Sequence, residues 1–440
     1  MSDNKTVEGL SDYLDRPREL CLLTPTELAR FRREDILDFQ IAAAQKQLAR
    51  QAGRIPVVGE MLDGRDPARF EQMNDFVDVL YEDGAYKSFD PAFVEEGRFA
   101  PLTQWLDRYT SQDLSGVDME GCADLTDWCR RLEAQADIFV CHSSGTSGTL
   151  SFVPRSREDR NMAADYSAFN QRDLFTPFER NDVTMFVLGP RRHYRITQCI
   201  YDGLEERHGI NPVQAIPVYH SPEFYMTQGR LRKARAKGDM DAVNGDPIVA
   251  AHREEVEAYN RDLPMLTEQW TDNLIENFRG KRIMFQGTFD KAWAITLQFQ
   301  KLGVTGAFAP NSVFALAGGV KDGTVLPDDW MDQFQKATGV APGNMASSWG
   351  MSEITGGVPR CAHGQYHFPP TIIPFLLEPH TRNALPRQGV GSGQIALLEL
   401  NSNDCWGGLI TGDRGTINWD GECACGREGP FLDAASIARL

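Results

Sequence analysis

The chain contains no apolar run near the roughly 18 to 20 residues that a membrane helix needs, so no membrane partner is expected. The N-terminus, Met1-Ser2-Asp3-Asn4-Lys5, lacks the hydrophobic segment of a signal peptide, which points to the cytoplasm. Positive charge is scarce, with 45 Lys and Arg against 62 Asp and Glu and a formal net charge of −17. That field repels a phosphate backbone and argues against a nucleic-acid partner. Cysteine is scarce too: nine in 440 residues do not make a disulfide scaffold. Internal repeats and low-complexity tracts are absent.

What is present is an ordinary globular composition, 41% hydrophobic and 24% charged. The length suits two or three domains, or one large α/β domain with lobes. Residues 1–130 read as a helical N-terminal portion. An Ala/Gln/Leu/Arg-rich stretch at 35–51 has high helix propensity and neither Gly nor Pro. A second helix is expected at 124–135, with Asp124 as cap and Leu125, Trp128, Cys129 and Leu132 on one face. Residues 131–368 read as an α/β nucleotide-binding core. Short apolar runs at 138–141, 184–188, 283–286 and 313–316 are expected strands, and 161–173 an expected helix; the alternation suggests a parallel sheet flanked by helices. Residues 369–440 read as a smaller β-rich lobe. The basic cluster at 230–237 reads as a solvated helix face.

Three segments carry chemistry. The first is Ser143-Ser144-Gly145-Thr146-Ser147-Gly148-Thr149, directly after an expected strand. Its glycines let backbone N–H groups converge on an anion, and its hydroxyls add donors. No Gly-Lys-Ser/Thr follows, so it is not a Walker loop. The second is Ser347-Ser348-Trp349-Gly350-Met351-Ser352-Glu353, which offers a flat ring for a base and a hard oxygen ligand for Mg²⁺. The third is Thr411-Gly412-Asp413, whose carboxylate at a strand end can accept ribose hydroxyls. Taken singly, each is also an ordinary surface turn.

Together and in this order they resemble the phosphate loop, the aromatic-Gly-x-Thr/Ser-Glu motif and the Thr-Gly-Asp motif of the acyl-adenylate-forming enzymes. Gly318 and Gly319 resemble that family's Gly-Gly segment along the adenine. The chain is most similar to the branch of phenylacetate–CoA ligase and luciferase-associated acyl-protein synthetase, over roughly residues 110–430. The resemblance implies a large adenylation-type α/β domain with parallel sheets flanked by helices, plus a small β-rich lobe. It implies ATP- and Mg²⁺-dependent conversion of an aryl or fatty acid to an acyl-adenylate, then transfer to a thiol of CoA or an acyl carrier protein. By match, Ser143, Ser144, Gly145, Thr146, Ser147 and Gly148 hold phosphates, with Ser144, Thr146 and Ser147 on the β and γ groups. Ser352 meets the α-phosphate, Glu353 binds Mg²⁺, Trp349 and Gly350 flank the adenine, and Asp413 holds the ribose. His193 falls beside the family's acyl pocket, although a solvated basic loop fits it equally.

Two departures qualify the match. The family's loop ends in Pro-Lys, whereas here Pro154-Arg155 stands, so Arg155 is the expected substitute. No segment matches the mobile C-terminal domain whose lysine normally reaches the carboxylate, so the expectation is that another part or a separate partner protein supplies that charge, that adenylation is slow, or that the chain does only part of the cycle. Two other readings stay open: amide formation on an amine, and a pseudoenzyme subunit that holds an acyl-adenylate or nucleotide.

Cys361, His367, Cys423 and Cys425 form a separate constellation with spacings suited to structural Zn²⁺, and His363 competes with His367 for the fourth place. Cys141 and His142 are adjacent on an expected strand, so they point to opposite faces and make a poor nucleophile pair.

Overall fold

A computed structural model describes residues 9–145, 148–169, 181–317 and 325–440. The expected helix at 35–51 spans Arg33–Ala52, with Glu34 and Asp35 in its first turn, where they complement the helix dipole. Its buried face carries Phe39, Ala43, Ala44 and Leu48, but also Gln40, Gln47 and Gln51. Those amides donate to carbonyls of a distant segment: Pro370 at 2.9 Å, Glu399 at 3.1 Å and Asn403 at 3.0 Å. The helix Leu125–Ala136 starts where expected. The Asp124 carboxylate accepts from the Asp127 N–H at 2.7 Å, and the helix stops at Asp137 in the left-handed region.

The strand expected at 138–141 is β1, Phe139–His142, but it lies outside the parallel sheet. It pairs antiparallel with β2, Phe152–Arg155, in a sheet of two strands. A short connection can only turn the chain back on itself, and the hydroxyl-rich loop between β1 and β2 does so.

The parallel sheet holds β3 Thr184–Pro190, β4 Asn211–Ile216, β5 Ile283–Gly287, β6 Val313–Ala317 and β7 Met345–Trp349. Its order is β4-β3-β5-β6-β7, with β8, Val358–Pro359, antiparallel at the edge. Side chains alternate between two apolar layers. Phe186, Phe285 and Phe314 pack with Trp270, Phe299 and Phe334 on one face. Met185, Val187 and Met284 pack with Tyr201 and Leu204 on the other. Burial on both faces explains why these strands read as unbroken apolar runs. The helix expected at 161–173 begins earlier, at Arg157, and runs to Phe169; residues 170–180 lie outside the described set.

The β lobe is an antiparallel sheet of β9 Gln365–His367, β10 Ile372–Leu377, β11 Val390–Glu399, β12 Gly408–Asn418 and β13 Phe431–Asp433. Its order is β10-β11-β12-β13-β9, and β14, Ala438–Arg439, pairs with β12. The N-terminal helices close its inner face. Phe39, Leu48 and Phe76 share one core with Ile373, Phe375, Leu397 and Trp419.

Candidate active site

The loop between β1 and β2 is held at both ends. Ser143 donates its N–H to Ser151 O at 3.3 Å, and Ser151 N–H returns to Ser143 Oγ at 3.0 Å. Inside, Gly148 N–H closes on Gly145 O at 2.8 Å, with both glycines at positive φ. Thr146 and Ser147 lie outside the described residues, as do Gly318 and Gly319. The helix Pro222–Lys237 backs the loop so closely that a Cβ on Gly229 would fall 1.8 Å from Gly145 O. Arg230, from the basic cluster, donates to Gly148 O at 3.1 Å and pairs with Asp246 and Glu95. It therefore serves the loop's frame. Ser144 sits half-buried in this cradle.

Glu353 follows β7 and reaches the same loop: Ser151 Oγ donates to its carboxylate at 2.7 Å. Ser352 Oγ donates to His142 O at 3.2 Å, which ties the turn to the end of β1. Trp349 ends β7, half-buried and opposite Val358, and Gly350 is exposed beside it. A buried brace holds the turn from behind. Glu399 accepts from the N–H groups of Thr355 and Gly356, each at 2.7 Å. Arg155 is completely buried; it donates to Ser352 O at 3.0 Å and Thr355 Oγ1 at 2.8 Å. Its charge is spent on protein partners, and the loop has no second basic residue at that position.

Asp413 lies on β12. Its N–H donates to Thr411 Oγ1 at 3.1 Å, and its carboxylate pairs with Arg439 of β14 at 3.1 Å. Asp413, Glu353 and Ser151 line one cavity of about 80 Å³, together with Tyr86, Lys87 and Arg439. A larger cavity of about 970 Å³ lies elsewhere, between the Arg33–Ala52 helix, Trp419 and Arg427. Neither Glu353, Asp413 nor the hydroxyl loop borders it, so the chemistry selects the smaller space.

His193 is buried, and burial together with the charge of Arg195 drives it well below the usual histidine range, so it is neutral. It forms part of a polar cluster with His142, His220 and Tyr225. Burial lowers both His142 and His220 to about 3. Arg195 stands over the Tyr225 ring at 5.8 Å, and the Nε2 atoms of His142 and His220 have no hydrogen-bond partner among the described residues. Cys141 and His142 do not form a pair. Cys141 Sγ lies 3.9 Å from Cys199 Sγ, and His142 Nδ1 lies 2.7 Å from Ser143 O.

Cys361, His367, Cys423 and Cys425 converge, with one ligand atom from each lying within 4.8 Å of all the others. Cys361 Sγ to Cys423 Sγ is 3.8 Å, and Cys425 Sγ to His367 Nε2 is 3.4 Å. Tetrahedral Zn²⁺ with bonds of about 2.3 Å to sulfur and about 2.0 Å to nitrogen has edges of about 3.8 and 3.5 Å, so these residues fit that ion. Burial and the charge of Arg427 lower His367 to about 4, which keeps it neutral as a ligand must be. His363 is exposed and outside the cluster.

Three residues near the site carry no motif signal: Ser151, Lys87 and Glu399. Only the fold places them there.

No family model matches the chain, and no curated protein matches it. Solved structures do. The open conformation of 2-hydroxyisobutyryl-CoA ligase in complex with 2-HIB-AMP and CoA aligns with a TM-score of 0.50 at 14% identity, over 92% of this chain and 70% of that one. The same ligase in its thioesterification state gives 0.50 at 14% identity, over 93% and 69%. A long-chain-fatty-acid-CoA ligase from Archaeoglobus fulgidus gives 0.38 at 11% identity, over 68% of this chain and 50% of that one. The similarity to the first ligase shows the fold: an α/β adenylation-type domain with a parallel sheet between helices and a separate antiparallel lobe. No helix among the described residues is long and apolar enough to cross a membrane.

Proposed function

We propose that this chain uses ATP to activate an organic acid, aryl or fatty, as an acyl-adenylate and then passes the acyl group to a thiol of CoA or a carrier protein. The supporting observation is that Glu353 and Asp413, 60 residues apart, line one cavity together with Ser151 of the hydroxyl loop. That convergence is what a single nucleotide bound across the three motifs would require.

In this reading the Ser143–Gly148 segment, with Ser144 at its centre, cradles the β and γ phosphates by N–H and hydroxyl donors. Ser352 meets the α-phosphate, and Asp413 accepts the ribose hydroxyls. Mg²⁺ held by Glu353 would offset phosphate charge. His193 borders the acyl side. A carboxylate oxygen attacks the α-phosphorus; the new O–P bond forms as the bond to pyrophosphate breaks, and the leaving group departs with the electron pair. The step needs alignment and charge neutralisation rather than covalent help. A space of about 80 Å³ is too small for a nucleotide. Entry therefore requires β14 to leave Asp413, to which it is joined by the Arg439 ion pair, the antiparallel pairing of Asp413 with Arg439 and Arg414 with Ala438, and the Leu440 N–H to Gly412 O bond at 2.9 Å. Zinc at Cys361, His367, Cys423 and Cys425 would have a structural role, joining the segment after Glu353 to the β lobe.

The test is carboxylate-dependent exchange of labelled pyrophosphate into ATP across aryl and fatty acids. Exchange by the wild-type protein that disappears in Glu353→Ala supports the reading. ATP binding without exchange for any acid, at any concentration of candidate partner, replaces it with a nucleotide-binding subunit.

A further inference from the structure

We propose that the cavity of about 970 Å³ between the Arg33–Ala52 helix and the β lobe is a second binding site, built for an amphiphilic anion: a carboxylate or phosphate head on an apolar body. The proposal is independent of the adenylation reading, since this cavity shares no wall residue with the space that Glu353 and Asp413 line. Its volume falls within the range of small-molecule sites, roughly 300 to 1,000 Å³.

The wall runs against the charge of the chain. In a protein of net charge −17 it gathers Arg30, Arg32, Arg33, Arg387 and Arg427 against Glu34 and Glu428. Arg32 and Arg33 are committed, to Asp35 at 2.7 Å and to Asp420 at 2.8 Å. Arg387 is not. Its guanidinium lies over the Trp419 ring at 4.5 Å and the Phe375 ring at 5.5 Å, and it donates to Pro374 O. No carboxylate pairs with it among the described residues, and Arg30 and Arg427 make no ion pair among them either. Burial and the charge of Arg33 lower Arg387 to about 10. A desolvated cation beside a second cation is costly, and an anion in the cavity offsets that cost.

The position of Arg387 is fixed by the fold. Trp419 N–H donates to Gly389 O at 2.8 Å, and the Asp420 carboxylate accepts from the Gly389 N–H while it also holds Arg33. One network thus sets an arginine of the first helix beside an arginine of the lobe. Guanidinium groups suit the oxygens of a carboxylate or a phosphate. Leu28, Phe31, Leu37, Ile41 and Phe368 also line the cavity, and each is only half-buried. An inorganic anion leaves that apolar surface wet, and a neutral lipid leaves Arg387 uncountered. An amphiphilic anion satisfies both, and it touches the N-terminal helix and the lobe together, so it stabilises the folded chain by mass action.

The test titrates the full chain with decyl phosphate and decanoate, both as monomers, by calorimetry, with inorganic phosphate and decanol as the head and the body alone. Decanoate is also a candidate substrate, so the decyl phosphate series decides. Both amphiphiles are expected to bind and to raise the melting temperature, with either half alone at least about tenfold weaker. Loss of one charge-assisted partner weakens binding by roughly 10- to 100-fold. Arg387→Met should lose that much affinity for decyl phosphate, while its ligand-free melting temperature stays at or above that of wild type because an uncountered cation has gone. Arg30→Gln, at an exposed position, should lose about fivefold with unchanged melting, and it carries the test if Arg387→Met does not fold. No binding of decyl phosphate by the wild-type chain overturns the proposal, as does equal binding of decanol or inorganic phosphate. Unchanged affinity in the folded variants overturns it too, and a lowered melting temperature in Arg387→Met with affinity retained assigns that residue to packing alone.

Discussion

Arg155, expected from the sequence as the substitute for a phosphate-loop lysine, has its guanidinium turned inward, and Arg155→Met tests what that means. The residue is 0% exposed and donates to Ser352 O, Thr355 Oγ1 and, at 3.4 Å, Cys405 Sγ. Asp159 and Glu399, also 0% exposed, are its buried counter-charges. Removing the cation strands both carboxylates in the interior and leaves the Ser352 carbonyl without its donor. Breaking a buried pair from one side costs about 3 to 5 kcal/mol, and two charge-assisted bonds at roughly 1.5 to 3 kcal/mol each give the same order. The Arg155→Met chain should therefore unfold at clearly lower urea, followed by circular dichroism. It should also lose pyrophosphate exchange at least tenfold, because Ser352 and Glu353 ride on the loosened turn. Arg155→Lys keeps the charge but not the forked geometry and should recover only part of either property. Stability within about 1 kcal/mol of wild type, combined with abolished exchange, would show that Arg155 meets the nucleotide directly and that the brace is misread.

Three further outcomes are expected. Metal analysis after purification without chelators should find one zinc per chain, and Cys423→Ser should release it and lower the melting temperature; a metal-free wild-type protein of normal stability would remove the zinc assignment. Asp413→Ala should raise the KM for ATP, whereas Arg439→Ala should lower it by up to about fivefold, since an exposed pair holds at most about 1 kcal/mol; an unchanged KM in both would separate Asp413 from the ribose. Burial raises Asp159 to about 6 against the opposing charge of Arg155, so the folded state binds its proton more tightly than the unfolded chain. Its contribution to stability is therefore full below about pH 4 and is lost as pH rises through about 6, a change of about 3 kcal/mol. Asp159→Asn should flatten the pH dependence of the urea midpoint over that window, and an unaltered slope would refute the argument.

The parts of this molecule legible in the sequence are those fixed by local chemistry. Asp124 announced a helix start because a carboxylate there accepts its own helix's N–H groups. The β3, β5 and β6 segments announced themselves because burial on both faces leaves unbroken apolar runs. The choice between His363 and His367 was not local in that sense. β9 pairs with β13 and sets His367 opposite Phe431, whereas His363 stays in the exposed turn before it. The partner of β1 was hidden for the related reason that a short apolar run records burial and not direction.

Residues that meet only through long-range pairing left no trace in any local pattern. Gln40, Gln47 and Gln51 look like solvent positions on a helix, yet they face inward because carbonyls near the ends of β10 and β11 need donors. Their bonds, together with the apolar core that Phe39, Leu48 and Phe76 share with Ile373, Leu397 and Trp419, dock the N-terminal helices on the β lobe. The same docking brings Tyr81 to β12 and Lys87 to the cavity that Glu353 also lines. Composition could report that the chain is acidic, but not that one lysine from its first hundred residues stands in an acidic cavity wall. A buried polar face on the first helix and a cation in the candidate site are thus two results of one event, the closing of the N-terminal segment over the lobe that carries Asp413.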